Sequence, residues 1–445
     1  MKIVSSYKVK IVGCNTILND TLSIYREAVT YLIKVVNTEW FNFCELESKE
    51  RNNYLEKCIH TTKNNKASYD FDDKFYKFPS YLRRAALQDA IGIVSSYRSN
   101  LENYETERYQ AISNGKKFRA VAPKLQTKHY KCLALYRGNM FNMIDQEHAQ
   151  IKIYRNNDWV WHTVKLREQD LKYIKKYCFG KEFSPLLAKK GRTYYLQFAY
   201  EEDIKLSKTK LKDQKVLAVD LGVNYSAVCS VINYNGTVLG RKFINQPREK
   251  DRQCHLLNRL RKKQRMSAKS TQHKALWAKI NNLNTQIVND TVRQVIKFAL
   301  EHEVDVIVME YLSFSGKKKR TSKLQQLQMW AYRLTQQKLS HQAHKHGMKY
   351  ARVCAKNTSL LAFDGTGLVS RSTTNATQCT FKRGKGKRYN CDLNASYNIG
   401  ARYFISQIHK TISAKKWSQA QAKVPELVQR TKCTLSTLIS LVAVI

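Results

Sequence analysis

The chain has 445 residues, enough for roughly two to four domains at about 100–200 residues each, and its 43% apolar content excludes a disordered tail. Lys and Arg number 78 against 35 Asp and Glu, a net charge of +43. That excess excludes an ordinary metabolic enzyme and points to a polyanionic partner, nucleic acid first, because self-repulsion at this charge destabilises a compact state that has no anion to offset it.

In chain order, residues 1–12 alternate apolar and polar and predict a strand; they lack the long apolar core of a signal peptide. Residues 18–60 predict helix, with Leu22, Tyr25, Val29 and Leu32 at three- and four-residue spacing. The polar stretch Thr61 to Asp73 interrupts that pattern, and Leu82, Ala85, Leu87, Ile91, Val94 and Tyr97 resume it over 79–105. From 125 to 205 the segments QIKIY, WVWHTVKL and TYYLQFAY are short, aromatic and β-branched and predict strands. The first half thus reads as a β-domain, 1–12 and 120–205, with a helical insertion at 13–119. The Lys-rich stretch 206–214 is a linker.

The second half opens with a buried strand, VLAVD, then SAVCSVINY and TVLGRKFI, with Asn235-Gly236 as the hairpin turn between the last two. A long helical stretch, 249–302, starts basic and turns amphipathic through Trp277, Ile280, Leu283, Ile287, Val292, Val295 and Phe298. VDVIVME, 304–310, is a further buried strand. A basic loop leads into a helical segment at 321–346, MKYARVCA forms a short strand, and a Gly-rich polar segment, 357–390, precedes a helix from Asp392. The tail, 406–445, reads as helical, and its apolar end, Leu435 to Ile445, is shorter than the roughly 20 residues of a membrane span. Eleven scattered cysteines with no C-x-x-C spacing predict reduced thiols and a cytoplasmic, nucleoid-associated protein.

Three carboxylates stand where buried elements end: Asp220 and Glu310 close apolar strands, and Asp392 opens a helix. Singly, each has an ordinary explanation as a turn former, a solvated strand end or a helix cap. Together, in a chain poor in acids, they match what phosphodiester hydrolysis requires, two Mg²⁺ or Mn²⁺ ions about 3.5–4 Å apart held by hard oxygen ligands. Asn224 and Asn394 are neighbouring candidates for supporting hydrogen bonds or for turn and helix roles. Three hairpin-connected strands, a helix, a fourth strand ending in an acid and a later helix starting with one follow the order of an RNase H-like core.

LAVDLGVNYSAVCSV, DVIVMEYL and YNCDLNASYNIGARY resemble the three RuvC motifs of the transposon-encoded TnpB (OrfB) family and its relatives, the compact type V CRISPR effectors. SKLQQLQMWAYRLTQQKL resembles the helix between the second and third motifs, and FPSYLRRAALQDA a weaker N-terminal segment. The resemblance is close over 215–405 and loose over 1–205. It implies an α+β multidomain fold: an N-terminal wedge-type β-barrel with a helical recognition insertion, then an RNase H-like (RuvC) α/β nuclease domain, 215–405, interrupted by helical insertions. It further implies a metal-dependent, RNA-guided DNA endonuclease in which a guide RNA pairs with double-stranded target DNA beside a short flanking motif. Asp220, Glu310 and Asp392 become the catalytic, metal-binding triad. Two other readings remain: a nuclease-weak, guide-directed DNA-binding regulator, and a DNA transposase with an RNase H-like core.

Basic runs are the candidate nucleic-acid contacts: Lys189, Lys190 and Arg192; Arg259, Arg261, Lys262, Lys263 and Arg265; Lys317, Lys318, Lys319 and Arg320; Lys382 and Arg383. Arg83 and Arg84, after Phe78-Pro79, are candidates for phosphate or flanking-motif contact, or simply a solvated helix face. Many relatives carry a four-cysteine zinc knuckle between the second and third motifs. Here the segment 357–390 is a degenerate counterpart with Cys354, Cys379 and Cys391 as its only nearby thiols, so no structural zinc is expected.

Overall fold

The computed structural model describes residues 1–13, 16–127, 132–267, 273–312, 331–372, 375 and 377–445. They form two units, one of Lys2–Asp203 and one of Ile204–Ile445 with Met1. Among the described residues no helix is long and apolar enough to cross a membrane.

In the first unit, strand β1 (Lys2–Val12) is followed by helices α1 (Leu18–Thr38), α2 (Ser48–Ile59) and α3 (Ser80–Ser113). The remaining strands are β2 (Leu133–Ala134), β3 (Phe141–Met143), β4 (His148–Arg155) and β5 (Asp158–Leu166), then, after helix α4 (Glu168–Tyr177), β6 (Lys181–Glu182), β7 (Leu186–Lys190) and β8 (Thr193–Asp203). The strand order is β2-β7-β8-β1-β5-β4-β3, with β6 beside β8. β1 bridges two halves, since Lys2 to Lys10 pair with β8 while Ile11 and Val12 pair with β5. The sheet's two edges meet through one short segment: Leu135 donates to the Pro185 carbonyl ahead of β7, and the next carbonyl, Tyr136, accepts from Phe141 in β3. A sheet so curled is barrel-like. The apolar stripe of α1 (Leu22, Tyr25, Val29, Leu32, Val36) and that of α3 (Leu82, Ala86, Ala90, Val94) share the barrel's core with Val9, Ile151 and Leu196.

In the second unit, β9 (Lys215–Asp220), β10 (Ala227–Asn233) and β11 (Val238–Ile244) form an antiparallel meander. Gly236 supplies the positive φ of +80° that the β10–β11 turn requires. Helices α5 (Pro247–Met266) and α6 (Lys274–Glu301) lead to β12 (Val306–Tyr311), parallel to β9. Helix α7 (Tyr332–Lys345) then leads to β13 (Lys349–Cys354), parallel to β12. The sheet order is β11-β10-β9-β12-β13, the RNase H-like arrangement. A small antiparallel sheet follows, β14 (Ser370–Arg371), β15 (Gln378–Thr380) and β16 (Arg388–Asn390), in a segment that the sequence shows only as polar and Gly-rich. Helix α8 (Cys391–Thr411), α9 (Ala414–Lys423) and α10 (Leu435–Val444) complete the unit.

The period-two alternation of the central strands separates two cores. Leu217, Val219, Ile307 and Met309 face α6 and α7. Val216, Ala218, Val306 and Val308 face α8. α8 is buried almost continuously from Leu393 to Ile405, and it lies close on the sheet because Gly400 has no side chain. A Cβ there would stand 2.7 Å from Ile232 Cδ1 and 3.3 Å from Ala218 Cβ.

Candidate active site

The strand alternation fixes where the acids point. Val219 and Met309 are paired across β9 and β12 and face α6 and α7. Asp220 and Glu310 follow them and so point to the opposite face, over which α8 lies. Asp392 stands in the first turn of α8. It is not the cap of that helix: Asn390 is, its side chain accepting from the backbone N–H groups of Asp392 (3.0 Å) and Leu393 (2.9 Å). With that role filled, the Asp392 carboxylate is available to the site. The loop after Asp220 approaches it closely, since a Cβ on Gly222 would lie 4.0 Å from Asp392 Oδ2 and 2.9 Å from the Tyr225 carbonyl.

All three acids are partly exposed and electrostatically frustrated. Burial pushes the Asp220 carboxyl well above its ordinary range, and the charges of Glu310 and Asp392 push it further; Arg371 opposes the shift. Burial also raises Glu310, against a hydrogen bond from Thr358 and the charge of Arg402. Burial raises Asp392, with Arg371 again opposing. Among the described residues no three His, Cys, Asp or Glu side chains close to ligating distance of one point. The donor set nevertheless fits a hard divalent cation: three hard oxygen donors, all destabilised by burial and Asp220 also by the other two charges, the condition that a bound cation relieves.

A polar ladder supports the cluster. The buried Thr358 hydroxyl donates to Glu310 Oε1, and Gln336 Nε2 donates to the Glu310 carbonyl at 2.8 Å. Asn394, Asn398 and Arg402 are buried at four-residue intervals along α8. Asn394 donates to the Leu361 carbonyl and accepts from Phe363 N–H, both at 2.8 Å. Asn398 donates to the Thr358 and Leu361 carbonyls, both at 2.9 Å, and accepts from Leu435 N–H at 3.1 Å. Arg402 donates to the carbonyls of Cys354, Lys356, Thr431 and Cys433. Lys250, at the start of α5, donates to the carbonyls of Val223 (3.1 Å) and Asn224 (2.5 Å) and to Asn245 Oδ1 (2.9 Å), and burial pulls its amine down to about 8.

Of the supporting residues, only Asn224 and Asn394 stand out in the sequence. Asn394 takes part through backbone contacts, and Asn224 through its carbonyl. Thr358 and Arg371 carry no spacing signal that marks them; for Asn398 and Arg402 the four-residue interval from Asn394 on an apolar helix is the one available clue.

The basic candidates are scattered. The Arg83 guanidinium is buried, with ion pairs to Glu56 (3.4 Å) and Asp72 (3.5 Å) within the helical insertion. Arg84 is exposed and 3.3 Å from the same Glu56. Lys189 reaches Asn19 Oδ1 and lies over the Tyr194 ring, while Lys190 and Arg192 are exposed at the β7–β8 turn. Arg259, Arg261, Lys262, Lys263 and Arg265 are exposed along the second half of α5. Lys382 and Arg383 are exposed in a turn beside β15. Lys317, Lys318, Lys319 and Arg320 lie outside the described residues. Of the thiols, Cys354 is exposed, whereas Cys379 and Cys391 are buried with Ala362 and Phe381, and the Cys379 thiol donates to the Tyr389 carbonyl at 3.5 Å.

The chain is similar to the TnpB-like protein aq_aa05 of Aquifex aeolicus (strain VF5), 28% identical over 244 residues that span 49% of this chain and 78% of that relative. The model of the Aq_aa04 family matches residues 5–155. Among solved structures, a cryo-EM Cas12f1–sgRNA–target DNA complex is 14% identical with a TM-score of 0.45, covering 90% of this chain and 99% of that one. A crystal structure of the Cas12i1 R-loop complex after target DNA cleavage is 10% identical with a TM-score of 0.40, covering 96% and 60%.

Proposed function

We propose that this chain, a homologue of a TnpB-like protein, is an RNA-guided DNA endonuclease whose cutting site is the Asp220–Glu310–Asp392 cluster. The observation that carries the reading is the convergence of two strand-end acids and one helix-start acid on the α8 face of an RNase H-like sheet. Asp220, Glu310 and Asp392 would hold Mg²⁺ or Mn²⁺, which when bound activates water and stabilises the leaving oxygen of a phosphodiester.

The chain's own residues prepare that site. Thr358 orients the Glu310 carboxylate, and Asn398 holds the Thr358 backbone. Arg371 brings positive charge to Asp220 and Asp392 from the small sheet, where a phosphate that meets three carboxylates needs it. Lys250 fixes the loop that follows Asp220. The exposed cations of α5 and of the β7–β8 turn suit backbone contact with a guide RNA or heteroduplex, which is held by its phosphates. The barrel with its helical insertion, 1–205, is the RNA- and flanking-motif-reading half of this account, and 215–405 the cutting half.

The test is to purify the chain with its copurifying RNA, sequence that RNA, and offer a matching double-stranded DNA with Mg²⁺. Guide-dependent cleavage supports the reading. Guided binding without cleavage favours the nuclease-weak regulator, and strand joining without bound RNA favours a transposase.

A further inference from the structure

Beside the acid cluster, on the same face of the sheet, lies a patch that the cleavage chemistry does not use. Asp220 pairs with Val228, and Val228 with Phe243, so the three sit in one row across β9, β10 and β11. Directly opposed residues of antiparallel strands share a face. Val228 packs in the α8 core, so Phe243 is on the catalytic face, two strand spacings of about 4.8 Å from Asp220. The next row is Ala218, Ser230 and Arg241, and Ser230 meets Ser396 of α8 at 2.5 Å, which fixes the face independently.

Phe243 is 44% exposed on the sheet's edge strand. Its ring meets Tyr225 at 5.2 Å between centroids and 57° between planes. Tyr225 belongs to the Asp220–Ser226 loop, and its carbonyl packs against Gly222, which in turn approaches Asp392. Arg241 is exposed on the same face, its guanidinium 5.6 Å from the Tyr397 ring centroid. An open aromatic face, a second ring that braces it and a cation two residues along are thus set beside the carboxylates.

We propose that Phe243, braced by Tyr225, is a stacking subsite for one unpaired base of single-stranded DNA next to the phosphate at the acids, with Arg241 on the adjoining phosphate. Only a base freed from a duplex offers a face to such a ring, so the subsite favours single strands at the cut. The inference rests on reading the three acids as a DNA-cutting centre.

The test uses the RNA-bound chain in the presence of chelator, with two labelled probes of equal length and charge: an oligothymidine and a fully abasic oligodeoxynucleotide. Phosphate contacts cancel between them, so their affinity ratio reports stacking. Wild type should prefer the oligothymidine by about five- to a hundredfold. Phe243→Ala should remove most of that preference and Phe243→Trp should keep it, both at an unchanged melting temperature. Equal preference in wild type and Phe243→Ala would overturn the subsite, as would a Phe243→Ala effect seen only in self-association. The two ideas fail separately. A Phe243-dependent preference in a chain that does not cut with Mg²⁺ supports the subsite and rejects the nuclease; cutting without that preference does the reverse.

Discussion

Asp220 and Glu310 stand level on adjacent parallel strands, one residue beyond the paired Val219 and Met309, so two carboxylates of like charge share one sheet face under α8. Burial shifts both upward, and at Asp220 the charges of Glu310 and Asp392 add to it. The folded chain therefore holds a local instability where its chemistry is expected, as functional sites often do.

That instability can be measured. A carboxyl with a raised folded value binds its proton longer in the folded state than in the unfolded one. Without metal, its effect is to lower stability as pH rises from the ordinary carboxylate range near 4 towards neutrality. Asp220→Asn should remove part of this penalty, raising the melting temperature of metal-free protein at pH 7 by a few degrees while eliminating cleavage. Thermal denaturation of the variant from pH 4 to 8 checks the sign, because its advantage should shrink towards the acid end.

Thr358 should matter to cleavage through Glu310, although its hydroxyl also lies 3.0 Å from the Ala355 carbonyl. Thr358→Val keeps the shape and removes the hydroxyl, a hydrogen bond to a charged group worth about 1.5–3 kcal/mol. Cleavage should fall roughly ten- to a hundredfold and need more Mg²⁺, with RNA binding intact, and Thr358→Ser should restore it. A magnesium titration of initial rates distinguishes this from a folding defect.

Asn398 ties α8 to the Thr358–Leu361 segment and to the start of α10. Asn398→Leu would strand the Thr358 carbonyl and the Leu435 N–H in the interior, while Asn394 still serves the Leu361 carbonyl, and each unsatisfied group costs about 1–3 kcal/mol. Urea denaturation should show a loss of about 2 kcal/mol or more, and limited proteolysis should release the C-terminal segment first.

Lys250 gives a second pH signature of opposite sign. Its folded value is drawn down to about 8, so below that pH the folded state carries a buried charge. As pH rises from about 8 towards the free-lysine range, the folded amine sheds its proton first and that cost declines. The stability of wild type relative to Lys250→Met should therefore grow between pH 8 and 10, which a melting series in matched buffers reads directly.

The cations of α5 predict a salt effect. Replacing Arg259, Lys262 and Lys263 with Gln should weaken RNA binding uniformly across sequences. The slope of log affinity against log salt should fall by about 0.7–0.9 for each phosphate that these side chains no longer neutralise. Affinity measured at four salt concentrations is sufficient.

Much of the fold was legible because strand and helix periods are written in apolar spacing: VLAVD, VDVIVME and the long amphipathic run around Ile287 read as the elements they form. The placement of the three acids was legible because two of them close apolar strands and the third opens an apolar helix. The rest depends on tertiary contact. Arg83 looks like a surface cation beside Arg84, yet the helix turns one inward and leaves the other out, which a charge count cannot reveal. The segment 357–390 gave only polarity, since its strands are two or three residues long and rest on Phe363, Phe381 and Tyr389 packing together. The tail was uninformative by pattern, although Leu435 N–H, Cys433 and Thr431 tie it to α8 through Asn398 and Arg402.

The central claim is that Asp220, Glu310 and Asp392 act as one metal-dependent cutting unit. The most direct measurement is single-turnover cleavage of guide-matched DNA by RNA-bound protein in Mg²⁺, comparing wild type with Asp220→Asn, Glu310→Gln, Asp392→Asn and the triple variant. Groups that act as a unit are non-additive, so each single variant should lose nearly as much rate as the triple while guided DNA binding persists. A single variant that still cuts at close to the wild-type rate would contradict the account.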